Sequence, residues 1–218
     1  MASELLVEQL PIGHRLALSY APARTRSLTL GLLALDFRLA GIVRNTREPL
    51  FGQVRLAWWR DRLSEPGALW PEGEPLLALL KDWGDEASAL AGLVDGWEGL
   101  LGEPPLPGAA FAAFAEGRAA AFAGLARLVD ANPSEAARAA RGWALVDLSG
   151  RLADPQERTE ARSLAEGQDW QQPDLPRTLR PLAILHGLAK RAMRRGASDL
   201  LAGRGAVWVT IRLGMLGR

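Results

Sequence analysis

Cysteine is absent from this 218-residue chain, which excludes disulfide scaffolds, thiol catalysis, iron–sulfur ligation and zinc sites built on thiolates. Histidine is nearly absent: His14 and His186 are the only two, too few for a histidine-rich metal centre. Lysine is confined to Lys81 and Lys190, so the other basic residues are all arginine, a bias of composition. The net charge is only +1, so the molecule is not basic throughout and no nucleic-acid partner is expected. No charge-free apolar run reaches the roughly 18 residues of a membrane-spanning helix. The longest apolar stretch, Leu28 to Leu35, ends at Asp36 and Arg38. Glu4 and Glu8 interrupt the first ten residues without a basic segment before an apolar one, so a secretory signal is not expected. The expectation is a cytoplasmic protein, with peripheral attachment at the inner membrane as a further option.

What is present is an ordinary globular composition, 48% apolar and 23% charged, in one domain over residues 1–218. The charge is unevenly spread. Residues 1–63 carry a net +4, residues 64–103 a net −8, residues 104–176 a net −3 and residues 177–218 a net +8. Two readings follow: the acidic middle and the basic C-terminal segment face each other or are simply solvated, or the basic segment docks on an anionic membrane or an acidic partner.

Alanine and leucine dominate, β-branched residues are sparse, and the apolar period is near 3.6, so the expected fold class is all-α, a helical bundle. Leu90, Leu93, Val94, Trp97 and Leu101 make an amphipathic stripe, with Asp85 and Glu86 where its helix would begin. Pro49 to Leu63 opens with proline and carries Phe51, Val54 and Trp58 on one face. Helices are also expected over Ala109–Ala131, Pro133–Asp154 and Pro181–Arg195, the last ending at Gly196. Ala206 to Ile211 is locally strand-like, but a lone strand has no partner, so helix is expected there too.

Residues 24–63 carry a resemblance. Arg24-Thr-Arg26 leads into a helix ending Ala34-Leu-Asp-Phe37-Arg38-Leu-Ala40. Arg47-Glu48-Pro49 and then Gln53-Val-Arg55-Leu56-Ala-Trp58-Trp59-Arg60-Asp61 follow. This pattern resembles the squalene/phytoene synthase family, whose members join two isoprenyl diphosphates head to head. It is most similar to a divergent bacterial branch, which itself is similar to a phytoene-synthase-like assembly factor of respiratory complex I. Phe114-Ala-Glu116-Gly117-Arg118, Gly142-x-Ala144-Leu145 and Leu175-Pro176-Arg177-x-Leu179-Arg180-Pro181-Leu182 extend the likeness. The resemblance implies a bundle of the isoprenoid synthase type, shortened toward the C-terminus.

The departures decide the expected function. The family's chemistry needs two Asp-rich motifs whose carboxylates hold magnesium against the diphosphate. On the Ala40 anchor the first set falls on Gly41, Ile42 and Asn45; on Gly142 and Ala144 the second falls on Ser149, Leu152, Ala153, Gln156 and Glu157. The chain is therefore expected to be a degenerate member without prenyl transfer, serving as an accessory, assembly or lipid-binding protein. The alternative is an isoprenoid-synthesis enzyme of the phytoene or squalene synthase type, with Asp36, Asp154 or Glu157 in the acidic role. No cofactor and no metal ligand is expected, with magnesium required only under the alternative. No catalytic residue is assigned; Arg38, Arg55 and Trp58 are the candidate substrate-binding residues. The expected partners are an isoprenoid or other lipid and an anionic membrane surface. The helices of residues 28–40, 50–63 and 109–126 would line a reduced apolar cavity, with Ala40, Gly41, Ala112, Ala113 and Gly117 leaving room for one lipid chain.

Other residues have plainer readings. Asp147 and Asp154 would share one solvated helix edge, and His186 would pack among Leu182, Ile184, Leu185 and Leu188. His14 has no identifiable partner. Arg55, Arg60 and Arg62 suit either a phosphate or an exposed face. Lys190, Arg191, Arg194 and Arg195, with Arg204 and Arg212, would make a positive surface.

Overall fold

In the computed structural model, which describes residues 2–197, 199–203 and 205–216, helices begin where proline and short polar capping residues stand. Two short helices open the chain, α1 (Ala2–Gln9) and α2 (Ile12–Leu18). The long α3 (Ala23–Asn45) and α4 (Pro49–Ser64) follow, the latter with proline in its first turn. A proline also opens α5 (Pro75–Leu80), where the Glu74 carboxylate accepts from the Leu76 N–H at 3.2 Å. Then come α6 (Ala89–Glu98), α7 (Gly108–Leu128) and α8 (Pro133–Ser149). The Asn132 side chain caps α8 by accepting from the Ser134 and Glu135 N–H groups. The chain ends through α9 (Pro155–Glu166), α10 (Arg180–Arg195) and α11 (Gly205–Ile211), with a π-helical turn over Arg212–Leu216. Among the described residues there is no strand, so the fold is all-α, as composition and periodicity indicate.

Neighbouring helices form a row in the order α4, α6, α7, α8, α10. Helix α3 lies across this row against α1, α2, α4, α5, α6 and α7, while α9 packs on α7 and α8 and α11 on α10. One apolar cluster runs through the molecule from Leu6 to Leu213. Trp83, Trp143, Phe111, Phe114 and Phe122 are its largest fully buried apolar side chains. Each aromatic ring removes on the order of 150–250 Å² from water, so these five anchor the packing.

Local chemistry moves several boundaries. The expected helix Pro133–Asp154 stops at Ser149, and Asp154 instead caps α9 by accepting from the Gln156 and Glu157 N–H groups at 2.7 and 3.0 Å. Asp147 and Asp154 therefore lie in different elements and share no edge. Residues Lys81–Ser88 wind as a tight 3₁₀ segment broken at Gly84, which sits at φ 50°, so Asp85 and Glu86 precede α6 rather than begin it. Helix α10 ends where expected, at Gly196 with φ 65°. Helix α4 faces the other way: it buries Gly52, Leu56, Trp59 and Leu63 and leaves Leu50, Phe51, Val54 and Trp58 exposed.

Part of the space where a cavity between α3, α4 and α7 is expected is taken by α6. This helix lies between α4 and α7, with Leu90, Leu93, Val94 and Trp97 buried. Gly117 and Gly96 make the approach possible: a Cβ on Gly117 would run into the Gly92 carbonyl, and one on Gly96 would lie 3.0 Å from the Phe114 Cα. Small residues here bring the α6 and α7 backbones together, whereas Gly41 on α3 has nothing within 4 Å of a built Cβ and lines a pocket of about 220 Å³ with Arg55 of α4. Ala112 and Ala113 are exposed, away from the core.

Candidate functional site

Where α3 crosses the row, three helices each bring one charge into the apolar core. Asp36 comes from α3, Arg118 from α7 and Asp147 from α8, with exposures of 3%, 1% and 6%. The Arg118 guanidinium lies between the carboxylates. It donates to Asp36 Oδ2 at 2.8 Å and to Asp147 Oδ2 at 3.2 Å. The Trp97 indole N–H donates to Asp36 Oδ1 at 2.8 Å. Arg151, just past the end of α8, donates to Asp147 Oδ1 through two nitrogens at 3.1 and 2.9 Å. Aromatic faces enclose the cation: its centre is 4.2 Å from the Trp143 ring and 4.7 Å from Phe114.

The electrostatics follow from this geometry. Burial alone would raise the Asp147 carboxyl, but Arg118 and Arg151 bring it down to about 2. At neutral pH it is a fixed anion, neither an acid nor a base of use. In turn Asp147 raises the Arg151 guanidinium above its ordinary range. His14, on α2, packs its ring edge-on against Trp143 at 5.5 Å, and neither ring nitrogen has a hydrogen-bond partner among the described residues. Burial lowers its pKa, although Asp147 and Asp36 pull the other way. The outer edge of the cluster opens on a cleft of about 380 Å³ lined by His14, Asp147, Gly150, Arg151 and residues 199–201.

Magnesium does not fit this centre. It requires carboxylate oxygens that are free to enter an octahedral shell. Here the Asp36 and Asp147 oxygens already accept from arginine or indole donors, and the space between them holds a guanidinium. Among the described residues no group of three acidic or histidine side chains is placed to hold a metal ion. The positions expected for the family's second acidic set are scattered: Ser149 ends α8, Leu152 and Ala153 lie in a turn, and Gln156 and Glu157 open α9. Glu157 is buried and accepts from the Leu106 N–H at 2.7 Å.

The candidate substrate-binding residues separate into two groups. Arg38 and Arg55 line one pocket of about 220 Å³ with Phe37, Arg44, Gly41 and Asn45, so the first-motif positions sit among cations. Arg38 is 3.5 Å from Glu74 and its guanidinium centre is 6.0 Å from the Trp59 ring. Trp58 does not line this pocket; it is 41% exposed and meets Trp59 edge-on at 5.0 Å. Arg60 pairs with Asp95 and Glu98, and Arg62 with Glu65. His186 is fully buried, its Nδ1 3.3 Å from the Ala139 carbonyl and its ring tilted on Trp170.

Sequence reasoning missed the Asp36–Arg118–Asp147 cluster. Part of a signal existed: Asp36 and Asp147 each interrupt an apolar helical run, and a buried charge demands a partner, but Arg118 follows Glu116 by two residues and gives no such signal. Which charges meet depends on how α3, α7 and α8 cross, and no local pattern states that. Compared with known proteins, the chain matches no family model, no curated protein and no solved structure.

Proposed function

We propose that the chain is an accessory or assembly protein of squalene/phytoene synthase-like architecture, without prenyl transferase activity. One observation carries this reading: Arg118 occupies the space between the carboxylates of α3 and α8 and takes up their oxygens. A diphosphate leaving group needs metal-bridged charge stabilisation, worth several kcal/mol, and each 1.36 kcal/mol is tenfold in rate. An internal cation already neutralised by two carboxylates offers none of this. The placement of α6 between α4 and α7 supports action through surfaces rather than through a lipid held in the core. So does α4, which presents Leu50, Phe51, Val54 and Trp58 to solvent.

The second reading is an isoprenoid-synthesis enzyme joining two isoprenyl diphosphates. It draws on the convergence of one carboxylate each from α3 and α8, and it requires Arg118 to leave them. Arg38 and Arg55, with Arg44, would then offer a metal-free anchor for a diphosphate. Incubation of the purified protein with farnesyl and geranylgeranyl diphosphate plus magnesium separates the readings. The expected result is unchanged substrate by mass spectrometry. Metal-dependent pyrophosphate release with a coupled hydrocarbon would establish the enzyme.

A further inference from the structure

Arg191 is the buried arginine of α10 whose three guanidinium nitrogens have no partner among the described residues. The side chain is 8% exposed and is covered by a glycine turn: a Cβ on Gly205 would lie 3.1 Å from its Nε, and one on Gly203 would lie 3.4 Å from a terminal nitrogen. Arg118 has two carboxylates, and Arg180, also buried on α10, donates to the Leu213 carbonyl at 3.0 Å. An unpaired buried charge costs stability, so its retention asks for a counter-charge that no described residue supplies.

The surroundings of Arg191 state what that counter-charge is. It lies in a groove of about 590 Å³ together with Lys190, Arg194, Arg195 and Arg212, and no acidic residue lines it. Asp169, whose charge reaches Lys190, is held by Arg138 at 3.2 Å. Four cations with the unpaired Arg191 beneath them focus a positive potential on one concave surface. The segment that closes the groove also carries an apolar face. Ala206, Thr210 and Leu213 turn inward, while Val207, Trp208, Ile211 and Met215 are exposed, Trp208 at 73%. Arg204, expected on the same surface, lies outside the described residues.

We infer that this groove and the exposed face of α11 dock on an anionic membrane, the groove taking lipid phosphates and Trp208 entering the headgroup region. Cations beside an exposed apolar face with tryptophan match the two terms of interfacial binding, electrostatic attraction and apolar burial. An acidic protein surface would satisfy the cations but leaves no reason for the bare apolar face. The inference stands apart from the reading of the bundle centre, and neither fails with the other.

Vesicle flotation tests it, with phosphatidylcholine alone against phosphatidylcholine mixed with phosphatidylglycerol. The native protein is expected to bind only the anionic vesicles, and less as salt rises. Arg191→Met is expected to lower the association constant about fivefold, the equivalent of one cation at ~1 kcal/mol. The same substitution is expected to raise the melting temperature, because it removes an unpaired buried charge. Trp208→Ser is expected to weaken vesicle binding with the circular dichroism spectrum and melting temperature unchanged. Equal binding to both vesicle types, binding to neither, or undiminished binding by Arg191→Met would overturn the inference. So would calorimetric binding of inorganic phosphate or of an acidic peptide by a protein that ignores anionic vesicles.

Discussion

Two buried arginines differ by their partners, and the difference sets the sign of their contributions. Arg118 is held between two carboxylates, so replacing it by leucine strands Asp36 and Asp147 in a low-dielectric core. Breaking a buried pair from one side costs about 3–5 kcal/mol, and urea unfolding of Arg118→Leu is expected to show a loss of that order. Arg191 has no carboxylate to strand, and Arg191→Met is expected to raise rather than lower the unfolding midpoint in the same assay. Histidine sets the behaviour in mild acid. Burial lowers His186 to about 4, against about 6.5 in the unfolded chain, so the unfolded state takes up the proton first. Stability is then full above about pH 6.5 and falls as the pH drops toward 4, with His14 acting in the same direction. Unfolding midpoints at pH 7 and pH 5 are expected to differ, and His186→Gln is expected to narrow the gap. Asp147 adds a second loss only in strong acid, between about pH 4 and its folded value of about 2.

At the scale of elements, the contact between α6 and α7 determines where the core is closed. Gly96 and Gly117 lie where one backbone meets the other, so a methyl group there must push the helices apart. Gly117→Ala is expected to cost about 1–3 kcal/mol by overpacking, despite alanine's better helix propensity. Gly41, in the last turns of α3, has nothing within 4 Å of a built Cβ. Gly41→Ala is therefore expected to stabilise by about 0.5–1 kcal/mol. Thermal unfolding of the two variants should move in opposite directions, and a matching shift would mean that α6 and α7 are not in contact at these glycines. The face that α4 presents has the same origin. Phe51, Val54 and Trp58 form one stripe, but Leu56, Trp59 and Leu63 form another, and α6 takes the second.

Across the whole molecule, the acidic middle is matched by arginines of α3, α4 and α7. Glu74 meets Arg38, Asp95 and Glu98 meet Arg60, and Glu86 is held by Arg127 through two contacts of 2.7 Å. None of these pairs reaches the basic C-terminal segment, and Arg177, Arg194, Arg195 and Arg212 stay available at the surface. No helix among the described residues is long and apolar enough to cross a membrane. The closed centre gives a prediction at this scale as well. A ligand that binds the folded state raises its melting temperature by mass action. Millimolar magnesium with pyrophosphate is expected to leave the melting temperature unchanged, and a rise of several degrees would show that the acidic residues form a metal site after all.

The amino-acid order determined by itself what depends on neighbours along the chain. The period near 3.6, the proline that opens α4 and Gly196 at the end of α10 all act within a turn or two, so the all-α fold was legible. The buried charges were not legible in the same way: Asp147 reads as a solvated edge residue, and Arg118 stands two residues from Glu116. The tertiary structure alone decided how they pair: Asp36 and Asp147 stand 82 and 29 residues from Arg118. It also decided which stripe of α4 is buried and that α6 takes part of the space where a lipid cavity was expected. Each of these outcomes depends on the angle and depth at which helices cross. That geometry is set by the summed packing of many distant side chains, and no short segment of sequence encodes it.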